Sequence, residues 1–151
     1  MHPNPIFRKT PTDLSLDHAR NHGFGILSVN GADVPHFAHI PFLMDEDGKS
    51  AELHLVRSNP IARLSAQPIP ATIVVSGPHS YISPDWYGVP DQVPTWNYTA
   101  VHLIGELHPL PDEELPSLLD RLSDHFEAAL SPKPIWKREK MTEGAFEKML
   151  R

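Results

Sequence analysis

A mainly β chain with peripheral helices, of the α+β class and with antiparallel strands, is predicted by three features of the 151 residues. Five apolar stretches follow one another through short turns, without the strict strand-helix alternation of a parallel sheet. Seventeen prolines, about twice the usual share, gather at element ends rather than in a low-complexity tract. Several strands are apolar on both faces, which favours a sheet closed into a small barrel. With no internal repeat and no dividing linker, residues 1–151 are expected to form one domain.

The first helix is expected over TDLSLDHARNHG, residues 12–23, where Thr12 suits the cap, Leu14, Leu16 and Ala19 the apolar positions, and Gly23 the stop. FGILSVN then alternates as a strand, Asn30-Gly31 signals a two-residue hairpin, and VPHFAHIPFLMD, residues 34–45, returns as the second strand. The DEDGKS turn leads into a third strand, AELHLVR at 51–57. That strand runs straight into a short helix, NPIARLSAQ, with Asn59 as cap and Pro60 in the first turn. PATIVV at 70–75 is a compact buried strand ending at Gly77, and TWNYTAVHLIGELHPL at 95–110 is a long fifth strand. PDEELPSLLDRLSDHFEAAL, 111–130, is an amphipathic helix with acids in its first turn, where the helix dipole favours them. Residues 130–140 are irregular, and TEGAFEKMLR begins a last helix that runs to Arg151.

Composition narrows the function classes. Thirteen Lys and Arg against nineteen Asp and Glu leave a net charge of −6, so no overall positive field collects phosphate backbones. The basic residues are scattered and no helix-turn-helix pattern occurs, so direct contact with nucleic acid is not expected. The absence of cysteine removes disulfides, thiolate metal sites and cysteine nucleophiles, and fits a reducing compartment. MHPNPIFRKTPTDLSL lacks the apolar core of a secretion signal, and no window approaches the roughly 20 apolar residues of a membrane span. A cytoplasmic protein with no membrane partner is the expectation. No G-x-S-x-G, glycine-rich phosphate loop or zinc-finger spacing is present.

The ten histidines do not assemble a metal site on paper. His36 and His39 are three apart on a strand, which sends their side chains to opposite faces. His18 and His22 share a helix face, but HARNH lacks the glutamate of the zinc-protease motif and no third ligand is in view. DEDG at 45–48 opens like a calcium loop, yet Ser50 stands where such a loop needs glycine. No metal is expected.

Two segments remain as candidates. In VRSNP, 56–60, a strand gives way to a helix start carrying Arg57, Ser58 and Asn59. A planar cation, a hydroxyl and free helix N–H groups make a phosphate pocket plausible, the alternative being that Asn59 merely caps and Arg57 is solvated. The second segment, GPHSYISPDWYGVPDQVPTWNY at 77–98, holds all three tyrosines and two of the three tryptophans among many prolines. It reads as a loop displaying the rings of Tyr81, Trp86, Tyr87, Trp96 and Tyr98. Such rings suit a platform for a flat ligand, or equally the plug of a barrel end or a dimer face.

GPHSYISPDWY followed by VPTWNY, with HIPFLMDE and HLVRSNP before them, closely resembles the PaiB-type family of FMN-binding negative transcriptional regulators. The resemblance runs from IFR near the N-terminus through AVHLIGEL to the KMLR end. It implies an FMN-binding split β-barrel like that of the pyridoxamine phosphate oxidase-like flavoproteins, as a homodimer with FMN between subunits. By the same resemblance Arg57, Ser58 and Asn59 fall where split barrels grip the flavin phosphate. The backbone around Ala38 and His39 would supply donors along the isoalloxazine edge, His79 and Ser80 would leave the barrel close to the ring, and Trp96 and Asn97 would close the pocket. PaiB-like proteins generally continue some tens of residues past the helix that begins at Thr142, whereas this chain stops at Arg151.

Function divides into classes that the residues leave open. One is a flavoprotein whose FMN supplies redox chemistry for an unidentified substrate, with no convincing acid or base beyond His39 and His79. Another is a regulatory or protein-interaction module that works through a protein partner or a metabolite rather than by touching DNA. Haem binding is compatible with a split barrel and many histidines, but no single histidine stands out as an axial ligand.

Overall fold

The computed structural model describes residues 4–150. Helix α1 is Thr12–His22, with Thr12 as the first helical residue. No side chain caps it: extended Pro11 precedes Thr12, so the expected threonine cap is not formed. Gly23 ends it as expected, left-handed at φ 59°, its N–H donating to the Ala19 carbonyl. A Cβ at Gly23 would lie 2.9 Å from the Phe126 ring, so space as well as backbone conformation asks for glycine there.

Strands β1, Phe24–Val29, and β2, His36–Met44, pair antiparallel from Phe24↔Pro41 to Val29↔His36. The turn between them spans residues 30–35 rather than the two expected at Asn30-Gly31. A two-residue turn would have drawn Pro35 into the ladder, where it has no donor to give, and would have broken the apolar register Leu27↔Ala38. Inside the turn the chain folds back so closely that a Cβ on Gly31 would meet the Val34 carbonyl oxygen at 2.4 Å.

Strand β3 is Ala51–Leu53, shorter than the 51–57 expected, and pairs only with Phe42–Met44 of β2. Helix α2, Pro60–Leu64, begins as expected: the Asn59 side chain accepts from Ile61 N–H at 2.9 Å and Pro60 occupies the first turn. Strands β4, Ile69–Ile82, and β5, Thr95–Leu107, are 14 and 13 residues long. Helix α3, Leu115–Ala128, follows a 3-10 turn at Asp112–Glu114, and α4, Ala145–Met149, is a single short turn of helix within the predicted 142–151. Arg151, the last residue of that expectation, lies outside the described residues.

The strands stand in the order β3-β2-β1-β4-β5, every neighbour antiparallel, which is the α+β class expected. No ladder joins β3 to β5 among the described residues, so this five-stranded sheet is open, consistent with a split barrel rather than a closed one. One face carries the core: Leu27 and Val29, Ala38, Ile40 and Phe42, Ile73 and Val75, joined by Ala19 of α1 and Ile61 of α2. The opposite face is covered only at one corner, where Phe126 reaches Gly23 and Arg121 of α3 pairs with Glu52 at 2.5 Å.

Candidate functional site

The uncovered face follows from strand alternation. Register places His39, Ile26, Val74 and His102 in one cross-strand row, and Phe37, Ser28, Thr72 and Ile104 in the next. These side chains point away from the core, and Phe37 is 63% and Ile104 76% exposed. These two rows, apolar and histidine side chains with Ser28 and Thr72 among them, lie open on the part of the face that α3 does not reach.

The 77–98 segment is not the loop expected from its prolines. Strands β4 and β5 continue through it as a two-stranded arm with Tyr98 opposite His79, Asn97 opposite Ser80, Trp96 opposite Tyr81 and Thr95 opposite Ile82. Only residues 83–94 are left to the tip. The rings that carry no hydrophobic periodicity of their own are held by cross-strand partners instead: Tyr81 meets Trp96 edge-on at 6.1 Å, and His79 lies 5.8 Å from Trp96.

A bulge decides which way these rings face. Ser76 pairs with Ala100 and His79 with Tyr98, so Gly77 and Pro78 together oppose Thr99 alone. The extra residue reverses the alternation of β4 beyond it. Without it His79 and Tyr81 would follow Ile73 and Val75 onto the core side. With it they join Trp96, Tyr98, Ala100, His102 and Ile104 of unbulged β5 on the uncovered face. His79 and Trp96 therefore extend that face, while Ser80 and Asn97 lie on the arm's other side, Ser80 donating its hydroxyl to the Tyr81 carbonyl at 3.1 Å.

Ala38 and His39 have separate parts. Phe42 N–H donates to the Gly23 carbonyl at 2.9 Å, and alternation from there turns the backbone groups of Ile40 and Ala38 toward β1. Those of Phe37 and His39 point to the other edge, which no strand of the described residues covers before Phe42. His39 is thus the free backbone donor of the pair, and Ala38 is buried in the core.

Arg57, Ser58 and Asn59 sit in the turn between β3 and α2, and no described hydrogen bond or ion pair links them to the arm. The Asn59 oxygen is engaged as a cap. Arg57 Nη1 donates to Asp112 Oδ2 at 3.0 Å, while its Nη2 and Nε donate to the Leu150 carbonyl at 3.2 and 3.4 Å. Sequence reading missed both partners, because they lie 55 and 93 residues away and neither belongs to a local pattern.

A pocket of about 230 Å³ beneath α3, lined by Pro41, His54, Leu122, Phe126 and Trp136, was also not foreseen. It is smaller than the roughly 300–1,000 Å³ of sites that enclose a drug-sized ligand. Burial holds the His54 imidazole below its ordinary pKa of 6.5, and its Nδ1 has no partner among the described residues. No group of three or more His, Cys, Asp or Glu is placed to hold a metal among the described residues. His36 and His39 divide between the faces as their spacing requires, and Asp45 gives its carboxylate to the amides of Lys49 and Ser50 and the Ser50 hydroxyl. No helix among the described residues is long and apolar enough to cross a membrane.

The features a flat cofactor with an anionic tail would use lie in separate parts of the fold: an open β2 edge with the His39 amide, the ring-lined arm of β4 and β5, and the Arg57 guanidinium at a strand-helix turn. In class, then, the molecule is an α+β protein with an open antiparallel sheet that offers a ligand a surface rather than an enclosed cavity. Over residues 1–151 it matches the family described as "Putative FMN-binding domain". It is 28% identical over 132 residues to the "Protease synthase and sporulation protein PAI 2" of Bacillus subtilis (strain 168), covering 86% of this chain and 63% of that protein. It is 31% identical over 137 residues to the "Uncharacterized protein YKL070W" of Saccharomyces cerevisiae, covering 81% of each. The chain belongs to the FMN-binding domain family, of PaiB type, and FMN is its cofactor.

Proposed function

We propose that this protein is a single-domain, cytoplasmic flavoprotein that holds FMN at the interface of a homodimer formed on the uncovered sheet face. The observation that carries this reading is the bulge-directed continuity of that face with the aromatic arm, which puts the exposed Phe37, Ile104, Tyr81, Trp96 and Tyr98 on one side of the sheet. Large apolar side chains left exposed on one face favour an interaction site. In this reading the His39 amide faces the flavin edge, His79 and Trp96 wall the ring system, and Arg57 with Ser58 and Asn59 holds the phosphate. Ala38 supports the strand from within the core, and Ser80 and Asn97 shape the far side of the arm. FMN would supply the electron chemistry, and the chain would bind it, orient it and exclude water.

A second reading, a regulatory module acting through a protein partner and without direct DNA contact, is favoured by the arm's tip, where Trp86 is 71% and Val93 75% exposed. The name of the Bacillus relative, which speaks of a protease synthase and of sporulation, is in keeping with such a role.

The two are separated by a visible absorption spectrum of the purified protein with and without added FMN, alongside its mass in solution. Bound-flavin bands on a dimer are expected. A protein that stays colourless with added FMN would sink the first reading and leave the rings as a protein-docking surface.

A further inference from the structure

We propose that Asp112, helped by the Leu150 carbonyl, is a built-in stand-in for the flavin phosphate at Arg57, and so sets how strongly the site prefers phosphorylated over unphosphorylated flavin. The proposal rests on the reading of Arg57 as the phosphate-binding cation.

The geometry is that of an occupied anion fork. Guanidinium is planar, with donors arranged to take two oxygens at once, and phosphate and carboxylate are its usual partners. Here one oxygen comes from the Asp112 carboxylate at 3.0 Å and the other from the Leu150 carbonyl, which receives both Nη2 and Nε. All three guanidinium nitrogens are engaged. A phosphate reaching Arg57 must displace at least one of these oxygens, and it must do so beside three consecutive carboxylates, Asp112, Glu113 and Glu114.

The contact is built to be displaced rather than to lock. Arg57 is 55% and Asp112 73% exposed at the side chain, and water screens an ion pair so placed. Asp112 brings one negative charge and a phosphate monoester nearly two. A doubly charged phosphate therefore outcompetes Asp112, whereas singly charged metabolites and unphosphorylated riboflavin gain nothing from Arg57 that Asp112 does not already supply. Asp112 therefore lowers the affinity of the site for every anion that uses Arg57, FMN among them, and leaves riboflavin unaffected.

The test is a titration of FMN and of riboflavin into the full chain and three variants, followed by quenching of flavin fluorescence. Arg57→Ala should weaken FMN by about tenfold or more with riboflavin unchanged. Asp112→Asn should tighten FMN by about 2–5-fold, again without effect on riboflavin. Glu113→Gln removes the same charge one residue away, without the bond to Arg57, and should tighten FMN less than Asp112→Asn does. If Arg57→Ala weakens FMN but Asp112→Asn leaves it unchanged or weakens it, Asp112 is no stand-in and the proposal falls while Arg57 keeps its role. Equal effects of Asp112→Asn and Glu113→Gln would overturn it as well, because general charge would then explain the gain. If Arg57→Ala leaves FMN affinity unchanged, the phosphate reading of Arg57 fails first and takes the proposal with it.

Discussion

Asp45 illustrates how one carboxylate is used up by its own turn. Hydrogen bonds from the Ser50 amide and hydroxyl, with help from Asp47 and Lys49, pull its pKa from an ordinary 3.8 to about 2. Because the folded value lies below the unfolded one, the turn's contribution to stability is complete above about pH 4, fades between pH 3.8 and about 2, and is absent below. An NMR titration should therefore show the Ser50 amide moving with a midpoint near pH 2, and Ser50→Ala should shift that midpoint upward. The same contacts leave the Asp45 oxygens accepting from the chain's own amides and hydroxyl. Asn59 is alike in this respect, since its side-chain oxygen is taken by the Ile61 amide.

Among the elements, the arm depends on one inserted residue. Gly77 and Pro78 opposite Thr99 put Tyr81 and His79 on the same side as Trp96 and Tyr98, and a Cβ on Gly77 would crowd both His18 and Thr99 at 3.0 Å. Deleting Pro78 should preserve the pairing of β4 with β5 but carry His79 and Tyr81 to the other face. The expected signature is loss of near-ultraviolet circular dichroism from the Tyr81–Trp96 pair with far-ultraviolet signal retained. FMN binding that survived intact would mean that His79 does not wall the flavin. At the other end of the chain, the stretch after α3 is strapped to that helix by ion pairs of Lys133 with Glu127, Lys137 with Asp124 at 2.6 Å and Arg138 with Asp120 at 3.1 Å. These acids recur every three to four residues, so one helix face binds the whole strap and brings Trp136 over the His54 pocket.

For the whole molecule the question is what covers the open face. Burying Phe37 and Ile104 on both subunits of a two-fold pair would contribute about 6–12 kcal/mol. The loss of freedom on association costs roughly 4–15 kcal/mol. The two rows alone are thus near balance, and a stable dimer needs the arm's rings as well. Ile104→Glu places a charge on the β5 side of the uncovered face, where the 76% exposed side chain has no role in the monomer core. The variant should fold with an unchanged thermal midpoint for the isolated chain, sediment as a monomer and lose bound FMN. A dimer that persists in Ile104→Glu would locate the interface elsewhere.

Much of this architecture was legible locally. The α2 start at Asn59-Pro60, the Gly23 stop, the β1–β2 pairing and the amphipathic α3 each rest on signals within a few residues: a cap, a left-handed glycine, a period of two or of 3.6. Family membership was also legible, because the aromatic segment and its neighbours recur as words of sequence. Tertiary structure alone decided the rest. It turned a proline-rich stretch into paired strands, since Tyr81 and His79 take their order from Trp96 and Tyr98 across the sheet rather than from their own neighbours. It left the sheet open, since β3 and β5 stand at opposite edges with no ladder between them among the described residues. It also gave Arg57 to Asp112 and Leu150, since an ion pair between distant residues follows from where the folded chain brings charges together, and no local spacing encodes that.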